Sequence, residues 1–232
     1  MITGIIGAME PEVRDLTAKL KDHHIQNIGG IEFHHGLLQD HEAVIVQCGI
    51  GKVASGAVTA LLICQAGAQR VINTGCAGAI SPKLRIGDTV FSTKAAYHDA
   101  DLTAFGYQIG QMAGHERFFN SDPELMAKAE IAAGNLLGFK GSIHQGLVVS
   151  GDQFINTREK REAIRASFPD AMVAEMEGAA IAQICTDLHV PFLIIRAVSD
   201  EASEGNTVNY DEFMPKAAAQ SEQLVLALTA LL

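Results

Sequence analysis

Residues 172–200 read MVAEMEGAAIAQICTDLHVPFLIIRAVSD, and they predict two strands separated by a helix. A short, largely apolar segment at 172–175 is followed by a helical pattern over 178–188 and by the apolar run 192–199. Strands that alternate with amphipathic helices form sheets whose two faces are covered by helices. This stretch therefore predicts an α/β fold around a buried central sheet.

The same alternation continues on the N-terminal side and at the C-terminal end of the chain. The pattern predicts strands at 2–7, 31–38, 42–47, 70–73, around Val90 and at 143–150; helices at 10–21, 51–67, 123–137, 158–168 and 211–231; and loops at 74–80 and 97–120. The two strands around Gln39 pair as a hairpin, so the twisted sheet is mixed rather than purely parallel. Without a repeat or linker, residues 1–232 are expected to form a single domain, a three-layer αβα sandwich.

Composition and charge exclude several classes of partner. Of the 232 residues, 48% are hydrophobic, which provides a substantial core, but no apolar run approaches the roughly 18 residues of a membrane span. The 17 Lys and Arg against 27 Asp and Glu give a net charge of −10, which disfavours nucleic acid and anionic membranes. Four scattered cysteines, and an N-terminus without the basic start of a signal peptide, predict reduced thiols in a cytoplasmic protein.

Three acidic residues lie at the ends of predicted strands. Glu12, Glu177 and Asp200 each occupy such a junction, and ligands of α/β sheets bind beyond the carboxyl ends of the strands. Carboxyl groups beside apolar segments are suited to acid–base chemistry, because desolvation favours their protonated form. Taken alone, Glu12 or Glu177 also fits an ordinary carboxylate at a helix N-terminus. Asp200 fits that interpretation less well, since it directly follows an apolar strand.

Other conspicuous features predict no cofactor or metal. The glycine-rich turns at 4–9 and 73–78 allow a close backbone approach, but they lack the spacing of dinucleotide or P-loop motifs, and either turn alone fits simple packing. The histidines have neither helical i,i+4 pairing nor partner cysteines, so they are expected to be surface residues. They are His23, His24, His34, His35 and His41.

Seven segments carry a family resemblance: GIIGAMEPEV (4–13), GIGKV (49–53), INTGCAGAI (72–80), YHDADLTAFGY (97–107), GLVVSGDQFIN (146–156), AEMEGAAIA (174–182) and VPFLIIRAVSD (190–200). Together they resemble bacterial 5′-methylthioadenosine/S-adenosylhomocysteine nucleosidases, in order and nearly end to end. The resemblance implies a nucleoside phosphorylase-like fold. It also implies hydrolysis of the N-glycosidic bond of 5′-thioadenosines to adenine and a 5-thioribose, with no metal or organic cofactor.

The resemblance implies roles for the acids. Asp200 would protonate adenine at N7, and Glu12 would hold and deprotonate the attacking water. Glu177 and the Met176 backbone would bind the ribose hydroxyls. These roles suit the chemistry, because an adenine anion is a poor leaving group. Protonation of the base and stabilisation of an oxocarbenium-like sugar are the two effects that can lower the barrier most.

The resemblance also implies a set of residues that line the site or orient its acids. They are Phe154 and the Ile155 backbone at the purine; Cys76, Ala77 and Gly78 at the base and ribose; Arg196 and Ser199 beside the carboxylates; Met9, Ile50 and Tyr210 at the thioalkyl side; and Leu102, Phe105 and Tyr107 in a partner subunit's pocket. The long apolar loop 97–107 independently favours a homodimer. Cys76 stands where the family usually has Ser, and Ala113 where a Pro is common, so the preferred 5′-substituent stays open.

Two alternative functions also stay open. A phosphorolytic nucleoside phosphorylase of the same superfamily would need arginines near the two glycine-rich turns to bind phosphate, and Glu12 there suits water instead. A non-catalytic nucleoside-binding relative would be expected to lack one of the acids, and this chain keeps all three.

Overall fold

The computed structural model describes residues 1–139 and 141–200, the backbone of 206–214, and all of 215–232. Within these ranges ten strands form one sheet: β1 (Thr3–Gly7), β2 (Lys21–Ile28), β3 (Ile31–Leu38), β4 (His41–Gln47), β5 (Arg70–Ala79), β6 (Thr89–Tyr97), β7 (Phe119–Asn120), β8 (Ile143–Ser150), β9 (Ala171–Glu175) and β10 (Phe192–Asp200). The helices are α1 (Glu10–Thr17), α2 (Lys52–Cys64), α3 (Pro123–Asn135), α4 (Arg158–Ser167), α5 (Gly178–Asp187) and α6 (Asn206–Thr229). A short 3-10 helix spans Thr103–Phe105.

The sheet is mixed and partly closed. Its strand order is β10-β6-β8-β9-β5-β1-β4-β3-β2, with β7 beside β6 and a further pairing of β5 with β10. Strands β1, β4, β5 and β10 run in one direction, and β6, β8 and β9 run in the other. Because β5 pairs with both β9 and β10, the pairings of β5, β10, β6, β8 and β9 form a closed ring. The ring curls this half of the sheet around the end of β5.

Helices cover both faces of the sheet. Alternate residues of a strand face opposite sides, and in β1 Ile6 packs in the cluster that contains α2 and α5. Its neighbour Ile5 packs in the cluster that contains α1, α3 and α6. The predicted α/β class, with a mixed central sheet between two helical layers, is confirmed.

The structure corrects three local predictions. Residues 74–80 were expected to form a loop, but β5 continues through Ala79, because its second half pairs with β10 and then with β9. The first helix ends at Thr17 instead of residue 21, and residues 21–28 form the unpredicted edge strand β2. That strand is polar and exposed along nearly its whole length, so it carries no apolar alternation that a pattern could detect. None of the helices in the described ranges is both long and apolar enough to cross a membrane.

Candidate active site

A cavity of about 380 Å³ lies beside the carboxyl ends of β1, β5, β9 and β10. It is lined by Ala8, Met9, Glu12, Ile50, Cys76, Ala77, Gly78, Phe154, Ala174, Glu175, Met176, Glu177, Ser199 and Asp200. The three predicted acids therefore share one cavity. We expected Glu177 to reach the site from a strand parallel to the others, but β9 is antiparallel to β5 and β10. The closed ring of strands, rather than a common parallel edge, places it there.

Glu12 lies in the first turn of α1 and is held by backbone N–H groups. Its Oε2 accepts hydrogen bonds from the amides of Ala8 at 2.8 Å and Met9 at 3.0 Å. Its Oε1 accepts one from the Cys76 amide at 3.2 Å, and the Cys76 Sγ lies 3.7 Å from the same oxygen. The side chain is 6% exposed. The turn after β1 and the middle of β5 together fix one carboxylate at the cavity wall.

The close approach of Glu12 to β5 depends on Gly75. A Cβ at this position would lie 2.6 Å from Glu12 Oε1 and 2.8 Å from Arg196 Nη1. Both distances are shorter than van der Waals contact, so only a glycine leaves room for the two charged groups. The sequence placed this glycine in a loop and gave no sign that it faces two buried charges.

Glu175 at the end of β9 is the cavity carboxylate that the sequence analysis assigned no role. It accepts hydrogen bonds from the amides of Gly178 at 2.8 Å and Glu177 at 3.2 Å. The Ser150 hydroxyl and the Arg196 guanidinium also donate to it. With donors on every side, this carboxylate is structurally fixed. Its position in the sequence, two residues before Glu177, could have identified it as a residue of the site.

Arg196, in the middle of β10, is 2% exposed and lies behind the cavity wall. Its Nη2 donates to Asn73 Oδ1 at 2.7 Å, and the Asn73 amide donates to the Ile6 carbonyl at 2.9 Å. Burial alone would lower the pKa of Arg196, but the neighbouring carboxylates, Glu175 first, raise it above its usual value. Arg196 therefore stays charged and balances the buried carboxylates.

Glu177 is less fully neutralised than its neighbours. Its Oε1 accepts a hydrogen bond from the Gly51 amide at 2.9 Å, and its Oε2 lies 3.9 Å from Arg196 Nη2. Burial, followed by the charge of Glu175, raises the pKa of Glu177 to about 7. Arg196 and the Gly51 amide only partly oppose that increase. Glu177 can therefore change its charge near neutral pH.

Asp200 ends β10 on another side of the cavity and is 2% exposed. The Ser199 hydroxyl donates to Asp200 Oδ2 at 3.1 Å. Asp200 pairs with Gly78 in the register of β10 and β5, after a register shift that follows Val198. The irregular end of β10 thus presents a carboxyl group beside the backbone of β5 at Gly78.

Comparison with known proteins places the site in a family. The sequence model of the phosphorylase superfamily matches residues 2–230. A 5′-methylthioadenosine/S-adenosylhomocysteine nucleosidase from Shewanella loihica is 43% identical over 228 residues, which cover 98% of each chain. This chain belongs to the 5′-methylthioadenosine/S-adenosylhomocysteine nucleosidase family. The resemblance found in the seven sequence segments is confirmed.

Solved structures of nucleosidases in this family have the same fold. The enzyme from Colwellia psychrerythraea, in complex with adenine, superposes with a TM-score of 0.96 at 43% identity and covers 99% of this chain and 94% of its own. The enzyme from Neisseria meningitidis, in complex with methylthio-immucillin-A, gives 0.96 at 41% identity over 100% and 99% of the two chains. The predicted nucleoside phosphorylase-like fold is thereby confirmed.

The other residues implied by the nucleosidase resemblance have varied positions. Phe154 and Ile50 line the cavity and are 39% and 58% exposed, so each can contact both a ligand and solvent. The Ile155 side chain is buried in a hydrophobic cluster outside the cavity, which leaves only its backbone for a role in binding. The side chain of Tyr210 lies outside the described residues.

The residues expected to serve a partner subunit lie apart from the cavity of their own chain. They are Leu102, Phe105 and Tyr107, in and around the short 3-10 helix. Phe105 is 79% exposed.

Among the described residues no group of three or more His, Cys, Asp or Glu side chains could hold a metal ion.

Proposed function

We propose that this chain hydrolyses the N-glycosidic bond of 5′-methylthioadenosine and S-adenosylhomocysteine, releasing adenine and the corresponding 5-thioribose derivative. The observation that carries the proposal is the single cavity shared by Glu12, Glu177 and Asp200. A purine riboside placed there has one carboxyl group available for its base, one for its ribose hydroxyls and one for a water molecule. Hydrolysis that releases a poor leaving group needs an acid that protonates this group and a base that activates water on the opposite side of the bond.

Asp200 is proposed to protonate the departing adenine at N7. As the C–N bond breaks, its electron pair moves to the base, and the proton from Asp200 makes the product neutral. The Ser199 hydroxyl, 3.1 Å from Asp200 Oδ2, orients the carboxyl group. Phe154, which lines the cavity together with Ala77 and Gly78, offers an aromatic face on which a purine can stack.

Glu12 is proposed to take a proton from the attacking water, whose oxygen forms the new bond to the anomeric carbon. The three backbone N–H groups on Glu12 leave its carboxylate in one orientation. Glu177 and the Met176 backbone are proposed to bind the ribose hydroxyls, with negative charge near a sugar ring that becomes positive in the transition state. Met9 and Ile50 complete the wall on the proposed thioalkyl side.

The cavity favours water over phosphate as the nucleophile. None of the described residues that line it is Lys or Arg, and Arg196 is already engaged by Glu175 and Asn73. A phosphate ion beside Glu12 would meet a carboxylate and, among the described lining residues, no free cation to balance it. The phosphorolytic alternative therefore lacks the group it needs most.

We also infer that the chain forms a homodimer in the cytoplasm. Ile50, Val53 and Phe105 are large apolar side chains that are 58%, 85% and 79% exposed. Groups of exposed apolar side chains mark protein–protein interfaces more often than single ones do. In such a dimer Leu102, Phe105 and Tyr107 would reach the neighbouring pocket. Sedimentation of the purified chain as a fully active monomer would contradict this inference.

Release of adenine measured with and without inorganic phosphate tests the proposed reaction. We expect equal rates from 5′-methylthioadenosine in both conditions, with adenine and 5-methylthioribose as products, and no stimulation by added metal ions or chelator. Strict dependence on phosphate, with formation of a sugar 1-phosphate, would establish the phosphorolytic alternative. Binding of the nucleoside without turnover would establish the non-catalytic one.

A further inference from the structure

Three charged residues outside the cavity join two of the segments that form its entrance. Lys52 at the start of α2 places its Nζ 2.7 Å from both carboxylate oxygens of Asp99 and 3.6 Å from Asp152 Oδ2. None of the three lines the cavity. We call Lys52, Asp99 and Asp152 the entrance cluster.

Backbone hydrogen bonds make the entrance cluster a two-way link between segments. The Lys52 amide donates to Asp152 Oδ1 at 2.9 Å, and the Asp152 amide donates to Asp99 Oδ2 at 2.9 Å. Each of the segments at 50–52 and 151–154 is therefore held by a side chain from elsewhere in the sequence. Neither segment belongs to a strand, so these side-chain bonds add to the few backbone bonds that position them.

The residues next to the entrance cluster reach the site directly. Gly51, adjacent to Lys52, donates its amide to Glu177 Oε1 at 2.9 Å. Ile50 and Phe154, which flank the cluster on its two segments, both line the cavity. A shift of either segment would therefore move a hydrogen-bond donor of Glu177 or one of the walls that face a bound nucleoside.

Within the cluster, the Lys52–Asp99 pair is protected enough to be stronger than a surface ion pair, whereas the Asp152 side chain is half-exposed. The side chains of Lys52 and Asp99 are 26% and 12% exposed, and the ammonium group also lies 5.5 Å from the Tyr97 ring centroid. Burial alone would raise the pKa of Asp99, but the hydrogen bonds from Lys52 and the Asp152 amide outweigh it and lower that pKa. Asp99 is thus a stable anion that holds both partners.

The backbone at Gly51 shows how closely the two segments meet. Its φ of +95° lies in the region that favours glycine, and a Cβ there would lie 3.0 Å from Asp152 Oδ1. The contact between the two segments is therefore a close backbone approach rather than a loose surface contact.

We propose that Lys52, Asp99 and Asp152 form a positioning cluster that sets the distance between the two entrance segments and thereby determines how tightly the nucleoside is bound. The inference rests on the proposed function for the identity of the ligand. It assigns the cluster an effect on substrate binding and none on the reacting atoms, because no member touches the cavity. Its expected signature is a raised KM with kcat preserved.

A double-mutant cycle tests the cluster. Lys52→Met and Asp99→Asn should each raise KM for 5′-methylthioadenosine by roughly tenfold while changing kcat by less than about twofold. Because both variants break the same contact, the double variant should resemble either single one. Lys52→Arg, which keeps the charge, should restore most of the affinity. Lys21→Met removes an exposed ion pair with Asp40 at 2.7 Å and serves as the matched control.

Several outcomes would overturn the proposal. They are a wild-type KM in Lys52→Met, effects of the two substitutions that multiply, and a fall in kcat with KM unchanged. If Lys52→Met fails to fold, as shown by its thermal unfolding, the comparison of Asp99→Asn with Lys52→Arg decides instead. Calorimetric titration with 5′-methylthioadenosine, carried out on the same variants combined with Asp200→Asn so that the substrate is not consumed, measures the same loss of affinity. A wild-type chain that binds but does not hydrolyse would therefore refute only the proposed function.

Discussion

Two regions of the molecule concentrate titratable side chains, and they differ in almost every physical respect. The cavity collects Glu12, Glu175, Glu177 and Asp200, each less than 9% exposed. The β2–β3 hairpin collects His23, His24, His34 and His35 in two cross-strand pairs. The first pair shares a nitrogen-to-nitrogen contact of 3.0 Å between His23 and His34, and the second stacks its rings 5.0 Å apart.

The difference shows which kind of cluster identifies a functional site. A buried carboxylate loses hydration, so it needs donors from the protein, and two separate segments supply three of them to Glu12. The histidines are exposed on β2 and only half-buried on β3, so they keep part of their hydration and can be neighbours at a smaller cost. A buried charged side chain that accepts hydrogen bonds from several parts of the protein therefore indicates a functional site. A large number of ionisable residues in one region does not.

The largest expected effect is that of Asp200→Asn. Removing the proton donor should lower kcat for adenine release by about 10³-fold, the middle of the 10²–10⁴ that acid assistance supplies. Thermal unfolding should show that the fold is intact. Asp40→Asn on the exposed hairpin turn is the control, and it should keep wild-type activity. An active Asp200→Asn enzyme would remove the assigned acid role.

Glu12→Gln should lower kcat by about 10²-fold, since the amide cannot take a proton from water. Its shape is close to that of the carboxylate, so the backbone around it should be retained. Glu10→Gln in the same helical turn is the matched control, because its side chain is 57% exposed and lies outside the cavity lining. Equal rates in the two variants would show that catalysis does not need the buried carboxylate of Glu12.

Gly75→Ala should destabilise the protein by about 1–3 kcal/mol and lower its activity, because the added Cβ overlaps Glu12 and Arg196. Gly134→Ala in α3 is the control. Nothing lies within 4 Å of a Cβ there, so the helix should gain roughly 0.5–1 kcal/mol. Urea unfolding of both variants measures the contrast. A neutral Gly75→Ala would mean that the cavity carboxylates are not tightly held.

Glu177 should make the stability of the wild type depend on pH. Burial, then Glu175, raises its pKa from 4.5 to about 7, so the folded state keeps a proton that the unfolded state releases. Stability from this group is present below pH 4.5 and is lost as the pH rises through about 7. Urea midpoints compared between wild type and Glu177→Gln should diverge over this range. Parallel curves would contradict the raised pKa.

The histidine hairpin should show the opposite sign and the smallest effect. Burial first, and then a neighbouring histidine, lowers the pKa of both His34 and His35. The unfolded chain then binds protons more readily, so stability is lost as the pH falls below about 6.5. His34→Gln and His35→Gln should reduce that loss slightly in the same urea measurements. A larger change here than at Glu177 would reverse the comparison between the two regions.

The nucleosidase family could be predicted from the resemblance carried by seven segments, and most of the fold from local pattern. The strand at 143–150 agrees with β8 at both ends, and the helix at 123–137 exceeds α3 by two residues. The edge strand β2 was missed because its residues are exposed on both faces, which removes the period-two alternation. The end of β5 was missed because glycines suited to turns also permit close strand packing.

The order of residues along the chain determined the α/β class, the three acids and the family, because strand and helix periodicity and short motifs are local properties that any window of sequence contains. Only the tertiary structure decided how the surroundings of these acids differ from one another. Pairing of β5 with β9, β1 and β10 brings Glu175 and Arg196 against Glu177 and leaves no room for a side chain at Gly75. The tertiary structure also joins Lys52 to Asp99. Desolvation and charge neighbours depend on which distant segments meet, and no local pattern contains that information.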